Sequence, residues 1–231
     1  MKHRYTQMRD LKDAKAIVAV IGFMAFFQAW MTLGNSSPTI KSPTYQNDFE
    51  KTEIGKVPDD LMVLGGEFVV KADGTNKVLE LPGAPLDSFA VQFGTGESEN
   101  IVASAKVFGT GKGRRFPTFG IGVGGISGWK LQIAPGKKAV ELIRDTELKA
   151  TLPFDWKSGE WTQLKLQLRK VKDGEWVIEG KAWQSGGEPK EWTISAKETA
   201  EATGGNCSIF GSPFAGTPIW FDDLRVAPYS K

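Results

Sequence analysis

The chain has 231 residues, 29 of them basic and 27 acidic, and a formal net charge of +2. Its only histidine is His3 and its only cysteine is Cys207. The chain beyond residue 43 therefore has no intrachain disulfide and no catalytic or zinc site built on imidazole. That part holds 23 basic and 25 acidic side chains, and we expect no nucleic-acid partner, because such a partner requires a clustered basic excess.

The N-terminus has the pattern of a membrane anchor. A basic tail over residues 1–15 precedes the apolar run Ala16–Leu33, whose eighteen residues carry no formal charge. A helix of that length reaches roughly 27 Å, close to the thickness of the hydrocarbon core of a bilayer. We predict a transmembrane helix over residues 16–34 with a cytoplasmic N-terminus, and a periplasmic or extracellular domain after it. A cleaved signal peptide is the alternative, but the run lacks an Ala-x-Ala cleavage site.

Small side chains recur along this predicted helix at spacings of three and four residues. Such a stripe is typical of helices that pack against other helices in the membrane, whereas a simple tether needs only hydrophobicity. An aromatic side chain near the outer end suits the bilayer interface. The residues expected at this membrane interface are Ala19, Gly22, Ala25, Ala29 and Trp30.

A linker rich in Ser, Pro and Thr follows over residues 35–44, and strand patterns fill residues 45–231. The clearest strand alternates Leu164, Leu166 and Leu168 with polar residues, so one of its faces is buried. The predicted strands are Leu61–Leu64, Glu67–Lys71, Lys77–Leu81, Phe89–Phe93, Ile101–Phe108, Thr118–Val123, Trp129–Ile133, Ala139–Arg144, Trp161–Lys170, Glu175–Trp183, Glu191–Ile194, Ser208–Phe210 and Ile219–Val226.

The order of these elements predicts an all-β fold. No segment of the domain holds a helical period, and Ala196–Ala202 is expected to form at most a short turn. Many short strands at even spacing indicate a jelly-roll β-sandwich. The glycines of Gly120–Gly125 are flanked by strands, so they suit a strand that a neighbour approaches closely better than a dinucleotide-binding loop.

The last seventy residues carry two more specific motifs. One is the terminal strand Ile219–Val226, which contains Phe-Asp-Asp, and the other is a hairpin marked by Gly180, Ala182, Trp183, Gly186, Pro189 and Trp192. Together they resemble the concanavalin A-like lectin/glucanase superfamily, in particular its laminarin-binding-like and 3-keto-disaccharide-hydrolase-like domains. The resemblance implies a concanavalin A-like jelly roll over residues 45–231. It also implies that Asp48-Phe49-Glu50 forms a first strand beside the last one.

Glucanases of this superfamily place two catalytic carboxylates on one strand, as Glu-x-Asp-x-Glu. The nearest match is the segment 143–147, where Ile143 replaces the first carboxylate and only Asp145 and Glu147 remain. Double displacement needs both a nucleophile and an acid, so this route is lost. We therefore predict no catalytic residue and interpret Asp145 and Glu147 as a solvated strand end.

Seven tryptophans lie in the domain, and exposed indole rings stack on the flat C–H faces of sugars. Trp183 and Trp192 flank the loop Gln184–Lys190 and are the best candidates for glycan contact, with Trp129 as a third. The alternative for each ring is a place in the core, since aromatic side chains bury large apolar areas.

Four carboxylates are expected to gather where the first and last strands meet: Asp48, Glu50, Asp222 and Asp223. Calcium accepts six to eight hard oxygen ligands, so this set is a candidate calcium site. No spacing in the chain matches a calcium loop, however, and paired Asp side chains also accept hydrogen bonds from turn amides. Both interpretations stay open, and no other cofactor is predicted.

Two functions follow from the sequence. The first is a non-catalytic, membrane-anchored extracytoplasmic β-sandwich that binds glycan at the cell envelope. The second is an accessory subunit of a membrane protein complex, in which the helix packs in the membrane and the sandwich clamps partner subunits. An enzyme is disfavoured because the domain lacks histidine and the glucanase carboxylate set is incomplete.

Overall fold

The computed structural model describes residues 43–83, 87–94, 96, 99–199, 204–214 and 216–229. The predicted transmembrane segment, its interface residues and most of the linker lie outside these ranges. Within the described ranges, no helix has the length and apolar character needed to cross a membrane.

The described residues form two antiparallel sheets and one 3-10 turn at Pro135–Lys137. The strands are β1 Tyr45–Asn47, β2 Met62–Gly65, β3 Val69–Asp73, β4 Asn76–Leu81, β5 Phe89–Phe93, β6 Ile101–Gly109, β7 Thr118–Val123, β8 Trp129–Ala134, β9 Ala139–Arg144, β10 Glu147–Pro153, β11 Thr162–Lys172, β12 Glu175–Trp183, β13 Ile194–Glu198, β14 Cys207–Ser212 and β15 Ile219–Pro228.

Sheet A has the order β13-β12-β11-β6-β15-β4-β3, with β1 also paired to β15, and sheet B has the order β10-β9-β8-β7-β14-β5-β2. The last two strands divide between the sheets: β14 inserts into sheet B between β5 and β7, and β15 inserts into sheet A between β4 and β6. In each sheet, a strand from the end of the chain therefore joins strands from earlier in the chain, so the fold depends on long-range pairing.

The core lies between the sheets because apolar and polar side chains alternate along the strands. In β6 every second residue is buried, from Ile101 to Gly109, and Leu164, Leu166 and Leu168 of β11 point into the same layer. Phe119 and Ile121 of β7 face them from sheet B and are fully buried. The alternation that predicted these strands is thus the same property that fills the core.

Three elements of the structure differ from the sequence-based prediction. The chain from Glu147 to Pro153 forms β10, which the sequence did not predict because nearly all its side chains are exposed at the sheet edge. The strand expected at Glu191–Ile194 instead covers Ile194–Glu198. The prediction that Ala196–Ala202 forms at most a short turn is therefore wrong for its first three residues, which belong to this strand. The first strand pairs with the last as expected, but it is Tyr45–Asn47 and ends just before Asp48.

A bulge in β15 determines which charged residues reach the outer face of sheet A. Asp222 pairs with Lys106 and Arg225 with Ser104, so β15 has one extra residue at this point. Asp223 has a positive φ of 51° within the bulge. An inserted residue shifts the alternation of the strand. As a result Asp222, Asp223 and Arg225 all lie away from the core, while Leu224 between them is buried.

Candidate functional site

A groove of about 300 Å³ crosses the outer face of sheet B. We call it the Phe210 groove, and its lining includes Phe210 and Ser208 of β14, Gln92 of β5, and Lys130 and Gln132 of β8. Strand β7 lies between β14 and β8. The groove therefore extends across four neighbouring strands in the middle of the sheet.

Two glycines of β7 let side chains of the groove lie over this strand. Gly120 is paired with both Phe210 and Gln132, and Gly122 is paired with both Ser208 and Lys130. A Cβ atom at Gly120 would lie 2.4 Å from Cζ of Phe210, so the aromatic ring packs directly against the glycine backbone. The prediction that glycines here allow a close neighbour is confirmed. A side chain at Gly120 would clash with this ring and with the backbone oxygen of Leu131, which lies 2.2 Å from the same Cβ position.

The polar groups of the groove suit hydrogen bonding to hydroxyl groups. The Nε2 amide of Gln132 donates to Glu141 at 2.8 Å, which leaves its carbonyl oxygen as an acceptor. Lys130 has its ammonium 3.3 Å from the backbone oxygen of Asp145, and Gln92 makes no side-chain hydrogen bond to another described residue. Glu141 is buried and also receives a hydrogen bond from Lys137 at 2.9 Å, so it fixes Gln132 in place.

The segment that resembles a glucanase strand lies at one end of the Phe210 groove. Asp145 and Thr146 form the turn between β9 and β10, and Asp145 has a positive φ of 54°. The chain reverses there, so the segment 143–147 is a turn rather than one continuous strand. Asp145 lines the groove beside the apolar side chains of Ile143 and Ile126, the latter 66% exposed.

Sheet A has a different outer face. A groove of about 310 Å³, which we call the Trp183 groove, runs between Trp183 on β12 and Arg225 on β15. Ser104 of β6 and Gln163 of β11 lie between them. Next to this groove, Trp161, Phe108 and Trp220 form a half-buried aromatic row, with ring centroids 5.5 Å and 5.0 Å apart. Trp161 and Trp220 therefore cover the outer face instead of filling the core.

The structure separates the three tryptophans predicted to contact glycan. Trp183 is half-buried in the wall of the Trp183 groove. Trp192 packs on the ammonium group of Lys181, which lies 4.8 Å from the ring centroid, so one face of that indole is covered. Trp129 is 3% exposed and belongs to the core, which removes its ring from any surface site. Of the three, Trp183 is the one that lines a groove.

The four carboxylates expected at the strand junction do come together. Asp48, Glu50, Asp222 and Asp223 line one hollow of about 510 Å³ beside the Trp183 groove. Each accepts hydrogen bonds from the protein: Glu50 from the amide of Lys77 at 2.8 Å, and Asp223 from the ammonium of Lys106.

Asp222 is the most buried of the four, with 6% exposure. Its oxygens accept from Asn76 at 3.0 Å and from the amide of Asp223 at 2.7 Å. Burial raises the pKa of Asp222 above its usual range, and the neighbouring Asp223 charge acts in the same direction.

Within the described ranges, no group of three or more His, Cys, Asp or Glu side chains is arranged to hold a metal ion. The hydrogen bonds of these carboxylates to backbone amides are those that the alternative interpretation expects, and the calcium site stays a prediction. Asp48 illustrates this, since its Oδ1 accepts from the amide of Glu50 at 3.3 Å.

Sequence reasoning missed the residues of the Phe210 groove. Gln92, Lys130, Gln132 and Phe210 come from three strands that are distant in sequence, and no local motif joins them. The usable signal was the alternation of glycine with apolar residues in β7, which marks a strand that neighbouring side chains can cover on one face. That pattern predicts close packing over β7 but does not identify the residues that pack there.

No protein-family model matches the chain, and no curated protein matches it either. Solved structures do. The Emp47p carbohydrate recognition domain aligns with a TM-score of 0.54 at 9% identity, over 84% of this chain and 99% of that one. The metal-free Emp46p carbohydrate recognition domain aligns with a TM-score of 0.56 at 9% identity, over 81% and 97%. The described part of this chain has a lectin-like jelly-roll fold.

A third structure comes from work on endo-acting O-glycanases with which members of the human gut microbiota initiate mucin breakdown. It aligns with a TM-score of 0.54 at 10% identity, over 81% of this chain and all of that one. The potassium-bound form of Emp46p has a similar TM-score of 0.53. At identities this low, the alignments show a shared sandwich architecture and nothing more. The jelly roll predicted from the sequence agrees with that architecture.

Proposed function

We propose that this protein binds glycan, without catalysis, through the Phe210 groove. The observation that carries the proposal is the groove itself. An aromatic ring, two amide side chains and an ammonium group line an open channel on the outer face of a lectin-like sandwich. Sugar recognition needs a flat apolar surface for the C–H faces together with polar groups for the hydroxyls.

Membrane anchoring is part of the same proposal. The run Ala16–Leu33 and the basic tail before it support a single span with a cytoplasmic N-terminus. The sandwich then lies at the periplasmic or extracellular surface, where envelope glycans are available. Retention of residues 1–34 in the mature chain is expected, and N-terminal sequencing of protein purified from membranes tests it directly.

A glycan array probed with the full-length chain in detergent micelles tests the binding function. Calorimetric titration of the strongest responder then measures the effect of two variants. Phe210→Leu keeps an apolar side chain but removes the flat ring, and Gln92→Ala removes an amide that has no side-chain hydrogen bond to another described residue. We expect each to weaken binding at least about fivefold, which corresponds to roughly 1 kcal/mol.

The matched control is Phe154→Leu, the same change at a half-buried ring outside the groove. It should leave the affinity within about twofold of the wild type. A chain that binds no sugar class on the array, or that binds equally well after Phe210→Leu and Gln92→Ala, contradicts the proposal.

A second candidate function is an accessory subunit of a membrane complex. The observation that favours it is the edge strand β2, where Met62 is 57% exposed, with Val63 and Leu64 beside it at 38% and 44%. An exposed apolar edge strand offers both backbone hydrogen bonds and side-chain contacts to another protein. Native mass spectrometry after mild detergent extraction discriminates the two functions, since a subunit is recovered with its partners and a tethered lectin as a monomer.

A further inference from the structure

The Trp183 groove lies on the opposite side of the sandwich from the Phe210 groove. We propose that it is a second saccharide site and that it binds an acidic sugar, with the sugar carboxylate at Arg225 and a pyranose face on Trp183. This inference goes beyond the glycan binding proposed above, because it concerns other residues and a different ligand chemistry.

The dimensions of the groove suit a short oligosaccharide. Trp183 is paired with Gln163, and Lys106 links Gln163 to the next strand, so the two end residues of the groove are three strand spacings apart. Three spacings of about 4.8 Å separate them by roughly 14 Å across the strands, and the offset of two residues from Lys106 to Ser104, the partner of Arg225, adds about 7 Å along them, so the distance from Trp183 to Arg225 is roughly 16 Å. A single monosaccharide is too short to contact both ends, so we expect at least a disaccharide.

The lysines at the groove all form ion pairs with carboxylates beside them. Glu188 accepts from Lys165 at 2.9 Å and from Lys181 at 3.1 Å, and Asp223 accepts from Lys106 at 2.5 Å. Burial opposes the ionisation of Glu188, but the two ammonium groups outweigh it and lower its pKa.

Arg225 is exposed and makes no ion pair with any described residue, although it lines the same groove. A guanidinium forms two parallel hydrogen bonds with a carboxylate, so it is well matched to a uronate. The unpaired cation therefore selects an anionic ligand over a neutral one.

The other groups of the groove indicate a sugar instead of a simple anion. Gln163 and Ser104 form no side-chain hydrogen bonds with other described residues, so both are available for hydroxyl groups. Trp183 supplies a flat apolar wall at the end opposite Arg225.

Binding on two opposite faces has a physical consequence. One domain with a groove on each sheet can hold two glycan chains at once, so an array of anchored copies would cross-link polymers by multivalency. The two grooves differ in charge, which would allow one face to bind a neutral polymer and the other an acidic one.

The test uses the full-length chain in detergent micelles and tetrasaccharides of galacturonate and of mannuronate, titrated calorimetrically and by tryptophan fluorescence. We expect at least one of them to bind, and Arg225→Gln to weaken that binding about tenfold, since a charge-assisted bidentate contact is lost. The matched control, Lys197→Gln, removes an exposed charge from β13 of the same sheet and should change the affinity less than about twofold. Trp183→Phe should remove the fluorescence change while the thermal unfolding midpoint confirms folding.

The methyl-esterified tetrasaccharide supplies the ligand-side control, and it should bind the wild type about as weakly as the acidic form binds the Arg225 variant. Phe210→Leu should leave binding of the acidic sugar unchanged, which separates this site from the Phe210 groove. The inference is overturned if neither acidic tetrasaccharide binds. It is also overturned if Arg225→Gln and Lys197→Gln have equal effects, or if Phe210→Leu abolishes the acidic binding. A positive glycan array with no acidic binding would overturn this inference alone.

Discussion

Replacing Lys181 with methionine tests whether one buried ammonium group holds the loop Gln184–Lys190 and Trp192 in place. Lys181 is 5% exposed. Its Nζ donates to the backbone oxygens of Pro189 at 2.6 Å and Lys190 at 3.1 Å, and to Glu188 at 3.1 Å. The same ammonium lies over the ring of Trp192. Methionine keeps the aliphatic volume of the side chain and removes all these interactions.

The expected cost follows from those contacts. Losing a charge-assisted hydrogen bond costs about 1.5–3 kcal/mol, and removing one partner of a buried ion pair costs about 3–5 kcal/mol. The variant regains part of the desolvation free energy of the ammonium, so these values do not add. The cation–π contact contributes about 0.5–2 kcal/mol more. We expect Lys181→Met to lower the free energy of unfolding by about 2–4 kcal/mol.

Urea denaturation measures this change, and hydrogen exchange across residues 184–192 shows whether the loop loosens. The control is Lys165→Met, because Lys165 contacts the same carboxylate of Glu188 at 2.9 Å but its side chain is 30% exposed. A partly exposed pair of this kind should cost less than about 1 kcal/mol. The reasoning fails if Lys181→Met lies within about 0.5 kcal/mol of the wild type and exchange in the loop is unchanged.

Three further predictions concern the sheets. Gly122→Ala places a Cβ 2.5 Å from Oγ of Ser208 and should cost about 1–3 kcal/mol in urea denaturation, and much of that cost should disappear in the double variant with Ser208→Ala. Because the pKa of Asp222 is raised in the folded state, its ionisation lowers stability at neutral pH. Asp222→Asn should therefore raise the unfolding free energy at pH 7, with a gain that shrinks as the pH falls through the raised pKa. Burial raises the pKa of Cys207 to about 12, so Ellman's reagent should react with this thiol only after denaturation.

Alternation of apolar and polar residues predicts those strands that have one face in the core and the other at the surface. Leu164, Leu166 and Leu168 stand on the core side of β11, and the polar residues between them face outward, so the period of two is visible in the sequence. Strand β10 has no such period because its side chains are exposed on both faces at the edge of sheet B. Its existence depends on backbone pairing with β9, and a side-chain pattern contains no information about that pairing.

The candidate sites also divide into one that a local sequence motif indicates and one that depends on long-range strand pairing. Trp183 was identified from a local hairpin motif, and the hairpin indeed places it in the wall of a groove. The Phe210 groove could not be predicted, because β14 enters sheet B beside β7 from a position far along the chain. The number of tryptophans does not predict which rings are free to contact a ligand. The ring of Trp129 fills the core, and that of Trp192 covers the buried Lys181.

Although the net charge of the domain is near zero, acidic and basic groups are separated on the outer face of sheet A. The bulge in β15 produces this separation. A regular strand would alternate Asp222, Asp223 and Arg225 between the core and the surface, whereas the extra residue lets all three reach the outer face. Asp223 is neutralised by Lys106, Asp222 joins the acidic hollow, and Arg225 faces the Trp183 groove. The low net charge argues against a polyanion that spreads over a whole surface, such as nucleic acid. It does not argue against one carboxylate bound by the guanidinium of Arg225, because that interaction depends on the few charges within a Debye length.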